Sequence, residues 1–189
     1  MLSESYKKRL LELSGLLKED EILNDVNLDL TNYDNILEWI KKHGPEQLFD
    51  DDGNIDDNYR DPMTNKDLDE VIYEYMNEYE KVSAKNEIEV YRMVMLKNIK
   101  SLNLKKVGVF WSFKEDGVGA YGIGRKFSGN KAFTLSAIIN TGDINWEQGL
   151  YSFLAYGPAE FECYVNKGSE VLIIKIDENI LKNPIKGII

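Results

Sequence analysis

The sequence predicts an α+β fold, with an acidic helical region over residues 1–85 followed by a mixed, β-rich domain over residues 86–189. Two observations carry that division. Apolar residues recur at helical spacing up to Lys85 and in alternation beyond it. Charge divides at nearly the same place: residues 1–86 hold 10 Lys and Arg against 22 Asp and Glu, a net of −12, while residues 87–189 hold 13 against 11, a net of +2. With 43% hydrophobic and 30% charged residues, a chain of 189 can bury a core, which excludes wholesale disorder.

The elements follow in order. Leu10, Leu13, Leu16 and Leu17 succeed Tyr6 at helical spacing, with Ser3 or Ser5 as cap and Gly15 weakening the middle. Asn32 caps a second helix carrying Ile36, Leu37, Trp39 and Ile40, which His43-Gly44-Pro45 ends. A third begins near Asn65 and turns Leu68, Val71, Ile72, Tyr75, Met76 and Tyr79 to one face. Strands are expected over 88–96, 107–113, 132–139, 160–165 and 171–176. No internal repeat interrupts this order.

Several chemistries are excluded. No N-terminal apolar run reads as a signal peptide, no stretch approaches a membrane span, and the lone Cys163 rules out an internal disulfide. These features predict a soluble, cytoplasmic protein with no membrane partner. The acidic balance argues against binding duplex nucleic acid through its phosphates. The acidic run 49–57 invites a calcium loop, but setting Gly53 at the sixth position puts Leu48 first and Tyr59 twelfth, where oxygen ligands belong. It reads as a solvated loop. Gly117-Val118-Gly119-Ala120-Tyr121-Gly122 spells a dinucleotide fingerprint, yet the glycines at 124 and 129 spoil the helix that must follow. Without CxxC or HExxH there is no zinc pattern, and His43, the only histidine, sits at a helix end.

The segment 159–168 is more informative. Alternation sets Glu160, Glu162 and Tyr164 on one face of a strand and Phe161, Cys163 and Val165 on the other. The two carboxylates fall roughly 6–7 Å apart by strand rise. Like charges on one face repel, so the pair is either a solvated edge or a working site.

Glu160-Phe161-Glu162, with Gly168 six residues on and a strand over 171–176, resembles the third motif of the ADP-ribosyltransferase family, in its Arg-Ser-Glu class. Val90-Tyr91-Arg92-Met93-Val94 resembles the first, an arginine after an aromatic on the opening strand. Phe110-Trp111-Ser112-Phe113 resembles the second, although the family commonly has Ser-Thr-Ser and Ser112 stands alone, 20 positions after Arg92. Ser128 and Ser136 are alternatives for that hydroxyl. The resemblance covers residues 86–178.

The resemblance implies an ADP-ribosyltransferase-like β domain that uses NAD as co-substrate and transfers ADP-ribose to a side chain of a target protein, an arginine. It implies that Glu162 is catalytic, holding the ribose 2′-hydroxyl and offsetting the positive charge of an oxocarbenium-like transition state. Glu160 orients the acceptor or takes its proton. Arg92 and Ser112 bind the cofactor, Arg92 at the diphosphate and Ser112 at the nicotinamide ribose or the catalytic carboxylate. Tyr91 and Trp111 join the cofactor-binding set, and Trp111, Phe113 or Tyr121 stack on the nicotinamide. Taken alone, Arg92 reads equally well as half of a structural ion pair. The segment 140–158 selects the target through Trp146, Tyr151, Phe153 and Tyr156, or else forms a packed amphipathic turn of helix. Two other classes stay open: a non-catalytic interaction protein, and an NAD glycohydrolase. The opening residues 5–15 resemble the start of many tailed-phage proteins. The enzymatic reading expects Arg92, Ser112 and Glu162 to meet in one dinucleotide-sized hollow.

Overall fold

The computed structural model describes residues 28–62, 64–115, 118, 131–156, 162–177 and 179–189. The helix expected around Leu10–Leu17, the glycine-rich run apart from Val118, Ser128, Glu160 and Phe161 lie outside those residues. The described residues form three α-helices and one antiparallel sheet of six strands, an α+β architecture. Among them, no helix is long and apolar enough to cross a membrane.

Helix α1, Tyr33–His43, starts where the Asn32 side chain accepts from the amide of Asn35 and stops at Gly44. His43 packs its ring against Trp39 at 5.6 Å. The acidic run after α1 is a hairpin turn: Asp50 accepts from the amides of Asp52 and Asn54, and Phe49 bridges Ile55. Helix α2, Leu68–Ser83, begins later than expected. Asn65 is left-handed with φ 59°, and Asp67 and Glu70 form a reciprocal capping box that fixes the start.

Strands β1 (Glu87–Leu96) and β3 (Lys131–Asn140) pair along ten positions and form the spine of the sheet. Strand β2 is only Phe110–Ser112, shorter than expected, because residues 104–106 make a 3-10 turn and Gly108 takes φ 84°. Helix α3 (Trp146–Tyr156) follows, then β4 (Glu162–Tyr164), β5 (Glu170–Ile176) and β6 (Asn179–Ile188). The spatial order is β4-β2-β1-β3-β5-β6. Strand β6 has no counterpart among the expected strands. It is an edge strand, exposed along most of its length and interrupted by Pro184, so it lacks the alternation that betrays a strand.

Two apolar cores result. One lies on a face of the sheet and gathers Val90, Val94, Trp111, Leu135, Ala137, Cys163, Val165, Val171 and Ile173. The other joins Ile36, Trp39, Ile40, Leu48, Ile72 and Tyr75 to Leu150, Phe153 and Leu154 of α3. All six strands follow residue 85, but so does helix α3, and its Leu150, Phe153 and Leu154 pack with the helices that precede that residue.

Gly149 lets α3 approach α2 closely. A Cβ there would stand 2.7 Å from Tyr75 Oη, a hydroxyl that donates to Trp146 O at 2.6 Å. A helical Gly→Ala change ordinarily gains about 1 kcal/mol, but overpacking of this kind costs about 1–3 kcal/mol. Gly149→Ala is expected to destabilise the protein in urea denaturation, and to become neutral or stabilising in a Tyr75→Phe background, where the obstructing hydroxyl is gone. Equal effects in both backgrounds would contradict the contact.

Candidate functional site

The three segments singled out by motif, more than sixty residues apart at their extremes, occupy adjacent strands. β4 carries Glu162, β2 carries Ser112 and β1 carries Arg92, and β2 lies between the other two. Ser112 stands directly opposite Glu162 in one pairing and opposite Tyr91 in the other. Directly opposed residues of antiparallel strands share a face. The row Glu162–Ser112–Tyr91 continues across β3 and β5 to Ser136 and Lys175.

Arg92 does not belong to that row. As the neighbour of Tyr91 it projects from the other face, together with Trp111 and Cys163, which oppose each other in the β2–β4 pairing. Its guanidinium donates to the carbonyl of Phe110 and packs over Gly108, 3.0 Å from where a Cβ would stand. It also lines a cavity of about 330 Å³ with Val94, Leu96, Leu102, Asn103 and Lys106. The single hollow expected for Arg92, Ser112 and Glu162 is thus not what their side chains form, because a shift of one residue along a strand reverses the face.

The aromatic residues sort the same way. Trp111 is a buried member of the sheet core and, among the described residues, its indole N–H has no hydrogen-bond partner. Tyr91 is half-buried on the Glu162 face, and burial, aided by the carboxylates of Glu89 and Glu115, raises its phenol above the ordinary value. Phe113 stacks on Trp146 at 5.6 Å, and Tyr79 meets the same indole edge-on at 4.9 Å. Within the segment 140–158, residues Thr141–Asp143 form a 3-10 turn and Trp146–Tyr156 form helix α3, with Phe153 buried against Tyr75.

Glu162 is 7% exposed, and a carboxylate so enclosed requires hydrogen-bond donors. Ser152 of α3 supplies one, its hydroxyl donating to Glu162 Oε2. Ser112, expected at the nicotinamide ribose or the catalytic carboxylate, donates to Lys114 O at 2.8 Å and accepts from Lys114 N at 3.1 Å at the end of β2. Ser152 was not legible as a site residue. Its signal is positional: it lies ten residues before Glu162 on an amphipathic helix whose polar side is short. Ser136, named as an alternative hydroxyl, is buried in the row but three strands from Glu162.

Helix α3 is aimed at Glu162 by its own start. Asn145 donates its amide to Tyr164 O at 2.8 Å, and its side chain accepts from Gln148 N at 2.9 Å, so the first turn is fastened to the far end of β4. Among the described residues no group of three or more His, Cys, Asp or Glu side chains is arranged to hold a metal ion.

No protein-family model matches the chain, and neither the curated proteins nor the solved structures contain a match to it.

Cys163, beside Glu162 but on the opposite face, is fully enclosed, and burial followed by the Glu162 charge raises its thiol pKa well above 9.0. The folded thiol stays protonated while the unfolded one ionises, so stability is full below about pH 9 and declines as pH rises past it. Cys163→Ala is expected to flatten the fall in urea midpoint between about pH 9 and 10, leaving the loss at higher pH to which the buried Tyr75 phenol contributes. An identical slope in the variant would contradict this assignment.

Proposed function

We propose that the chain cleaves the N-glycosidic bond of NAD and transfers ADP-ribose to a protein side chain, an arginine guanidinium. The observation that carries the reading is the adjacency of the three motif segments as strands β4, β2 and β1, with Ser112 and Glu162 in register. Nothing in the sequence spacing required segments so far apart to become neighbours in that order.

In this reading the bond between ribose C1′ and the pyridinium nitrogen breaks, and nicotinamide leaves with the electron pair. Glu162 accepts from the ribose 2′-hydroxyl and offsets the charge developing on the sugar. The acceptor guanidinium attacks C1′ and loses a proton to Glu160, two residues before Glu162. A carboxylate suits that role because it holds a guanidinium through two parallel hydrogen bonds. Tyr91 lies on the same face, two strands away, at roughly 10 Å by strand spacing, within the length of a dinucleotide. Arg92 acts from the other face, where it fastens β2 through Phe110 O and so fixes the strand that carries Ser112.

A second reading, a non-catalytic interaction protein, is favoured by one observation. Glu162 is buried and bonded to Ser152, as a structural carboxylate would be. The two readings part on a direct assay. Incubation with NAD is expected to release nicotinamide, and addition of cell lysate to yield ADP-ribosylated protein. Glu162→Gln, which keeps shape and removes charge, is expected to lower both about 10²–10³-fold. Glu160→Gln is expected to spare hydrolysis more than transfer. Wild-type protein that releases no nicotinamide leaves the interaction reading standing, and a fully active Glu162→Gln variant removes Glu162 from its role.

A further inference from the structure

We infer that Ser152 is a positioning residue for Glu162, and that residues 28–83 act on the reaction by bracing the helix that carries Ser152. The inference rests on the NAD-cleaving reading and assigns a task to a helical region that the sequence leaves without one.

The route is continuous. Glu162 opens a strand of three residues at the edge of the sheet, so neighbouring strands hold it from one side only. On its other side stands α3, whose Ser152 donates to its carboxylate. The position of that hydroxyl is set by where α3 sits, and the helical region fixes α3 at both ends. At the first turn, Trp39 Nε1 donates to Glu147 Oε1 at 2.6 Å and Tyr75 Oη donates to Trp146 O at 2.6 Å. At the last turn, where helix carbonyls lose their intrahelical partners, Gln47 Nε2 donates to Ala155 O at 2.7 Å. Between the ends, Gly149 rests against Tyr75, and the same glycine lies close to the Glu162 backbone carbonyl. Leu150, Phe153 and Leu154 belong to the helical core. A helix so held can neither slide nor rotate without breaking donors at both termini.

Ser152 touches the carboxylate rather than the sugar, so its loss should degrade the orientation of Glu162 and leave substrate binding intact. Misplacement of a reacting group by about 1 Å costs up to about 10²-fold in rate. Gln47 offers the more informative variant because it is exposed and contributes to no core. The test measures kcat and KM for nicotinamide release by the full chain, below the melting transition and per folded molecule. Ser152→Ala is expected to lower kcat about tenfold or more with KM within about twofold, and Gln47→Ala to lower kcat severalfold with the same KM. Were Ser152→Ala to keep the wild-type kcat while Glu162→Gln lost it, the inference would fall and the NAD reading would stand. Loss confined to Ser152→Ala, with Gln47→Ala fully active, would overturn the bracing role. A rise in KM at constant kcat would make Ser152 a binding contact and overturn its positioning role. A wild-type chain that cleaves no NAD takes down the reading and the inference together.

Discussion

One buried carboxylate joins the two parts of the molecule. Glu162 belongs to the sheet by its backbone and meets the helices through its side chain, because a hydroxyl that donates to it comes from α3. An enclosed carboxylate without donors is costly, so the strand edge and the helix must find the same relative position whenever the protein folds. Other hydrogen bonds hold α3 in that position. Asn145 fastens its start to β4, Trp39 and Tyr75 hold its first turn, and Gln47 takes up the carbonyl at its end.

The sheet presents two chemically different faces. One buries aliphatic residues with Trp111 and Cys163, and admits Arg92 at the margin of a cavity. The other carries a row of polar side chains across five strands: Glu162, Ser112, Tyr91, Ser136 and Lys175. The short β2 separates them, and the guanidinium of Arg92 stabilises that strand by donating to Phe110 O. A charged group on the apolar face needs such a partner, since a guanidinium cannot shed its proton.

The large features were legible in the sequence because they obey local rules. Asn32 and Gly44 bound α1, periodicity marked the buried face of α2, and alternation located β1, β3 and β5. What escaped depended on tertiary context. β6 shows no alternation because an exposed edge strand has no buried face to record, and Pro184 argues against a strand in the middle of a sheet. The extent of β2 was set by Gly108, whose left-handed backbone delays the strand. For the candidate site, the three motif segments do lie on adjacent strands, but Arg92 projects from the face opposite Ser112 and Glu162, because neighbouring residues of a strand point to opposite faces. Ser152 was invisible for a different reason. Its contact with Glu162 arises from a helix folding back on the strand that follows it, which the ten-residue interval does not by itself specify.

NAD cleavage as proposed requires the Glu162 face to accept a dinucleotide. Calorimetric titration of the full chain with a hydrolysis-resistant carbocyclic analogue of NAD tests this without requiring turnover. Saturable binding at one molecule per chain, retained by Glu162→Gln and weakened by enlarging Ser112, is expected. An absence of binding heat at millimolar analogue, or binding indifferent to substitution at Ser112 and abolished only by changes around the Arg92 cavity, would contradict it.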